Sequence, residues 1–191
     1  MKIVYTCFCT DVIHEGHMNI IHEAKKYGRV VVGVLSDEAS IRFNRFPGVS
    51  FTERINMVKS IPGVDEVIIQ NKVMYDEIIE KLHPDYVIHG DNWLEPPMRA
   101  IRDNVSTLLK EYGGKIIDVP YTYSEEIRHI DAQVKERLAM PEYRRKRLHQ
   151  LLQLRPLVKA IEVHSGLTGL IAEKTIVEHD DNTEAKVSNR V

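Results

Sequence analysis

Hydrophobic and polar positions along the chain follow two alternating periods. Short runs dense in β-branched residues, at 2–7, 29–35, 65–69, 85–89 and 115–119, read as strands. The second, R-V-V-V-G-V-L, is apolar throughout, as expected of a strand covered on both faces. Between these runs the apolar residues recur at helical spacing. Met18, Ile20, Ile21 and Ala24 fall on one side of the segment 17–27, with Glu23, Lys25 and Lys26 on the other, and Gly28 ends it. Phe51, Ile55, Val58 and Ile61 mark a second helix, entered through Ser50 and Glu53 placed as a capping box. Further helices are expected over 74–82 and from about 97 to 112, the latter stopping at Gly113 and Gly114. The segment 41–47 reads as a loop.

Strands alternating with helices through short connections predict an α/β fold over residues 1–125: a Rossmann-like, doubly wound parallel five-stranded sheet with helices on both faces. Ligands of such sheets bind beyond the C-terminal ends of the strands. After Pro120 the character changes, and 125–154 is charged and helix-forming with a break at Pro141. Two helices are expected there, a C-terminal helical extension or linker over 126–155. A compact apolar stretch follows Arg155 and Pro156, with a strand expected over 158–164 that either opens a second unit, 156–191, or extends the first. The last residues, from His179, are polar.

Composition narrows the classes. The 191 residues are 28% charged and 43% apolar, a balance suited to a packed globular core. A formal net charge of −2 gives no reason to expect nucleic-acid binding, and the run Arg144, Arg145, Lys146, Arg147 reads as the solvated face of a helix. No signal-like start and no stretch of about 18 apolar residues occur, so no membrane span and a cytoplasmic location are expected. Cys7 and Cys9 sit two apart on the first strand, awkward for a disulfide and too few for a zinc site, and are expected to be reduced and packed.

Candidate chemistry gathers after the first strand, in T-D-V-I-H-E-G-H-M-N-I. Two histidines three apart could cap a helix, ligate a metal or handle phosphate. A zinc site would need further ligands and lacks the one-turn spacing of H-E-x-x-H. The position is that of a phosphate site: helix amides and the positive dipole end attract an anion, and Gly16 lets it approach the backbone. Histidine adds donors that can turn cationic as charge builds on a phosphoryl oxygen.

H-E-G-H after the first strand resembles the HxGH motif of the cytidylyltransferase branch of the nucleotidylyltransferase superfamily. G-V-L-S-D-E-A, the stretch from Ser50 through V-D-E-V-I, H-G-D-N-W and V-P-Y-T resemble further family segments, in order, over residues 1 to about 125. The resemblance implies an enzyme that transfers CMP from CTP and releases pyrophosphate, with Mg2+ accompanying the triphosphate. It implies catalytic roles for His14, His17 and Arg54. Nucleotide contacts are implied for Thr10, Asp11, Gly16, Arg45, Gly90, Asp91, Trp93, Thr122 and Ser124, with no metal held by protein ligands alone. Trp93, the sole tryptophan, could equally be a lid residue, and Arg54 a solvated arginine paired with Glu53 or Asp37. Relatives often pair as homodimers.

The chain also departs from the family pattern. Phe8, Cys9 and Thr10 replace a glycine and an aromatic, Arg42 and Arg45 stand where relatives supply lysine, and Thr122 and Ser124 are what remains of a hydroxyl run. Arginine is not equivalent to lysine at a phosphate. Pro62 replaces a basic residue of the glycerol-phosphate relatives, which argues for a different acceptor. The stretch from Pro141 through R-P-L-V-K-A-I-E-V-H-S-G-L-T-G-L-I-A-E resembles the junction and first strand of phosphoenolpyruvate mutase, so 156–191 is expected to be the truncated start of a mutase-like barrel, with more of that barrel downstream in the full-length polypeptide. This implies a small phosphonate acceptor, 2-hydroxyethyl- or 2-aminoethylphosphonate. A glycerol-3-phosphate-type cytidylyltransferase and a non-catalytic nucleotide-binding module attached to a mutase remain as alternatives.

Overall fold

The computed structural model describes residues 1–9, 11–43, 45–96, 98–120, 122, 124–154, 162 and 164–174. Five strands, β1 Ile3–Phe8, β2 Arg29–Leu35, β3 Glu66–Gln70, β4 Tyr86–Gly90 and β5 Lys115–Val119, form one sheet in the order β3-β2-β1-β4-β5. Every pairing is parallel. Each strand lies within one residue of the range expected from its apolar run. The winding reverses between β1 and β4, and at such a switch point the sheet opens a crevice beyond its C-terminal edge.

Helices α1 Glu15–Lys25, α2 Asp37–Arg42, α3 Phe51–Lys59, α4 Asp76–Leu82 and α5 Arg99–Lys110 alternate with the strands, and α6 Glu125–Ala139, α7 Pro141–Leu154 and α8 Gly166–Lys174 follow. Val4 and Phe8 of β1 and Val30, Val32 and Val34 of β2 face Ile21 and Ala24 of α1 and Val58 of α3. Tyr5 and Val31 face the opposite side, under α4 and α5. Each fully buried aliphatic side chain contributes about 1.5–3 kcal/mol, so a two-sided core holds β1 and β2 in the middle of the sheet.

One helix was not expected, and its end takes the first two residues of the expected loop 41–47. Ile41 and Arg42 close α2, which starts because the Ser36 hydroxyl accepts from the Ala39 amide at 3.2 Å and Asp37 and Glu38 fill the first turn. Six residues are too few to show a periodic signal. Pro141 opens α7 at the first helical position, where its missing N–H is no loss and its fixed φ suits the helix. The strand expected over 158–164 lies outside the described residues apart from Glu162 and His164, as does the polar segment from His179. Among the described residues no helix is long and apolar enough to cross a membrane.

Beneath the crevice, fully buried Tyr5 donates its hydroxyl hydrogen bond to Gln70 Oε1 at the end of β3. The phenol reaches Gln70 across Gly33 of β2, where an added Cβ would lie 1.9 Å from the Tyr5 oxygen. Burial raises the phenol well above its ordinary pKa, so it stays a neutral donor. Gly33→Ala should displace the ring, break that bond and lower stability by about 1–3 kcal/mol. Urea denaturation would read this as a lower midpoint at unchanged slope, and an unmoved midpoint would mean the ring yields at no cost.

Candidate active site

A helix start leaves four amides without intrahelical partners. At α1 two imidazoles take up this role. His14 is the N-cap, its Nδ1 accepting from the Gly16 amide at 3.1 Å, and His17 turns back so that its Nδ1 accepts from the His14 amide at 3.3 Å. The pair forms a capping box, which is why α1 begins at Glu15 rather than at His17. An Nδ1 that accepts carries no proton, so each neutral ring carries its proton on Nε2. The rings lie 4.0 Å apart and both line the cavity. Burial, followed by the nearby His14, His89 and Arg45, pushes the His17 imidazole down to about 3. Protonation would also place a hydrogen on Nδ1 and break the cap. With Nδ1 accepting and the ring neutral, the donor that His17 offers is its Nε2–H. A side chain at Gly16 would meet His14 Cε1 at 3.0 Å, so the glycine keeps that ring seated.

The cavity, of about 570 Å3, opens at the C-terminal ends of the strands, within the range of about 300–1,000 Å3 usual for small-molecule sites. Asp11, Gly16, Arg45, Gly90 and Thr122 join the two histidines on its wall. Asp11 clamps the loop between α2 and α3, accepting from the Gly48 amide at 2.6 Å and the Val49 amide at 3.3 Å. Thr122 Oγ1 accepts from Asn19 Nδ2 at 2.8 Å, tying the chain after β5 to α1.

Other expected residues lie off the wall, and Thr10 lies outside the described residues. Arg54 is 1% exposed, neither solvated nor facing the cavity. Its Nη1 donates to the Leu35 carbonyl at 2.8 Å, Nη2 pairs with Asp37, and Nε is buried without a partner. It holds α3 to the end of β2. Trp93 is fully buried, not a lid: Nε1 donates to Asp118 Oδ1 at 2.6 Å, and Arg102 grips the same carboxylate. Asp91 opens the 3-10 turn Asp91–Leu94 that carries Trp93 inward, and Ser124 caps α6, accepting from the Ile127 amide at 3.1 Å. Arg42 pairs outward with Glu38.

The residues that sequence reasoning missed come from tertiary contact. His89 stacks on Trp93 at 4.5 Å between ring centroids and reaches the wall in its place. Gln70, held by Tyr5 at the end of β3, also lines the cavity. Of the basic run on α7, Arg145 pairs outward with Glu142, but Lys146 and Arg147 line the cavity. Cys7 and Cys9 are free and also reach the wall; burial pushes the Cys7 thiol up, so it stays protonated. Among the described residues no cluster of three or more metal-binding side chains occurs, and Asp11 is the one carboxylate on the wall. Mg2+ is ordinarily held by one or two carboxylates with substrate phosphates. Asp11 together with a bound triphosphate fits that requirement.

Two outcomes follow from these positions. Arg54→Ala should lower stability by about 2–5 kcal/mol, through the cavity left and the lost bond to Leu35, with nucleotide affinity little changed. An affinity collapse at unchanged stability would return Arg54 to phosphate contact. Unfolded His17 takes up its proton near 6.5 and the folded ring only near 3, so its share of stability is complete above the first value and is lost as pH falls toward the second. His17→Gln should flatten the fall in urea midpoint across that window, whereas a slope matching the wild type would show the ring to be open to solvent.

Comparison with known proteins agrees with this architecture. Residues 4–165 match the family described as Cytidylyltransferase-like. The chain is 30% identical over 122 residues to the Bifunctional protein HldE of Desulfatibacillum aliphaticivorans, covering 62% of this chain and 24% of that one. It is 38% identical over 95 residues to Ethanolamine-phosphate cytidylyltransferase of Arabidopsis thaliana, covering 47% and 23%. The chain thus spans about a quarter of the length of these curated relatives. The crystal structure of the lipopolysaccharide core biosynthesis protein from Thermoplasma volcanium GSS1 shares the fold, with a TM-score of 0.53 at 19% identity over 65% of this chain and 99% of that one. With the family match running through more than half of its length, the chain belongs to the cytidylyltransferase-like family of nucleotidyltransferases.

Proposed function

We propose that this protein transfers CMP from CTP to a small phosphonate, 2-hydroxyethyl- or 2-aminoethylphosphonate, and releases pyrophosphate. The observation that carries this is the pair of imidazoles at the start of α1, each with Nδ1 accepting from a helix-start amide, which puts the proton of a neutral ring on Nε2. Helix amides, the positive dipole end and two fixed donors converge there. An oxygen of the phosphonate attacks the α-phosphorus in line as the bond to the pyrophosphate oxygen breaks. Charge grows on the phosphoryl and leaving oxygens, and donors that need no reorganisation stabilise it. The attacking oxygen is already ionised near neutral pH, so no protein base is required. Arg45 supplies a fixed positive charge, Gly90 and His89 also line the cavity, and Trp93 keeps His89 in position. Asp11 would hold Mg2+ with the triphosphate, and the ion when bound offsets phosphate charge.

Two lines support the acceptor. Ethanolamine phosphate, which names one relative, differs from 2-aminoethylphosphonate by a single bridging oxygen. Residues 156–191 resemble the opening of phosphoenolpyruvate mutase, an enzyme that makes a carbon–phosphorus bond. The second reading is an alcohol-phosphate acceptor, ethanolamine phosphate or glycerol 3-phosphate, favoured by that same relative's name.

Pyrophosphate release should be measured with CTP and ATP against these phosphonates and alcohol phosphates. The highest kcat/KM is expected for CTP with a two-carbon phosphonate. A preference for an alcohol phosphate selects the second reading, a preference for ATP overturns the base assignment, and CTP binding without turnover leaves a non-catalytic module. His14→Ala and His17→Ala should each lower kcat at least about tenfold with the far-ultraviolet spectrum retained; undiminished rates in both would remove the assignment.

A further inference from the structure

The chain carries a net charge of −2, yet among the described residues the cavity wall gathers Arg45, Lys146 and Arg147 against the single carboxylate of Asp11. Two of these three cations belong to α7, outside the five-stranded domain. The helix is seated by specific contacts. Arg147 lays its guanidinium over the Phe46 ring at 4.0 Å. A Cβ on Gly48 would lie 3.5 Å from Tyr143 Cε1 and 3.3 Å from the Asp11 carboxylate, so α7 runs along the loop that Asp11 clamps. The α6 side of the opening is apolar by contrast, with Ile130 and Val134. Charge is concentrated where α7 faces the cavity.

We propose that Lys146 and Arg147 are binding residues for phosphoryl oxygens, so that α7 completes the active site instead of serving as a tether to a following unit, which rests on the site being one for a nucleoside triphosphate and an anionic acceptor. Arginine offers a planar fork that spans two oxygens, and stacking on Phe46 fixes its plane before the anion arrives. Lysine adds a compact charge beside it. The anion is either the triphosphate tail, becoming pyrophosphate after transfer, or the acceptor's phosphonate.

Titration calorimetry of the full chain with pyrophosphate, CTP, CMP and 2-aminoethylphosphonate separates these sources without requiring turnover. The double variant Lys146→Ala, Arg147→Ala should lose at least about tenfold in affinity for pyrophosphate and CTP and less for CMP, a loss that shrinks as salt is raised. A loss confined to 2-aminoethylphosphonate supports the cation pair and assigns it to the acceptor. The charge-keeping double variant Lys146→Arg, Arg147→Lys should recover only part of the lost affinity, since it restores both charges without the stacked fork at position 147, whereas Arg145→Ala, which removes an outward charge of the same helix, should stay within about twofold of wild type. Equal affinities of wild type and double alanine variant for all four probes would overturn the inference and leave the cytidylyltransferase proposal standing. A wild-type protein that binds neither CTP nor pyrophosphate would overturn both.

Discussion

The site depends on how α1 satisfies its first amides. A hydroxyl and a carboxylate would cap the helix equally well, but a carboxylate beside a triphosphate would repel it. With imidazoles in both places, each ring accepts from the backbone at Nδ1 and retains a donor at Nε2. The bonds that start the helix thus also fix the tautomer that an anion requires. Burial keeps the His17 ring neutral and so protects the cap. On the proposed function, folding and chemistry draw on the same two hydrogen bonds.

The remainder of the wall is held by elements far apart in sequence. Asp11 carries the loop after α2 to the cavity, Asn19 holds Thr122, and Trp93 with Asp118 and Arg102 presents His89. Arg54 is turned away from the wall, yet it fixes α3 to the strand end from which α2 departs. These side chains hold the pieces of the site at their distances, and the two-sided apolar core keeps the strand ends in register beneath them.

The sheet was legible because β-branched runs covered on both faces leave a dense apolar signal, and glycine or a capping box marks where the intervening helices stop or start. The histidine turn was legible for a related reason, since it follows the first strand directly. Pattern failed where contact is not local. Six residues of α2 carry too little periodicity, and Ser36 was the sign of its start. Arg54 reads as polar on its helix; its partner Asp37 was among the pairings the sequence offered, but not the Leu35 carbonyl or the burial. The α7 cations gain their meaning from the loop at Phe46 and Gly48, about 100 residues away in the chain, a separation at which helical period carries no information.

Gly33 has a consequence for how the two central strands can align. Tyr5 pairs with Val31 and Cys7 with Gly33 in the β1–β2 ladder, and the Tyr5 oxygen sits where a Gly33 Cβ would be. The smallest slip that keeps every side chain on its own face is two residues. Such a slip would put Val31 or Leu35 under the phenol, where only a bare backbone leaves room. The aromatic ring therefore indexes one strand against its neighbour, and with it the offset between the two turns that leave them.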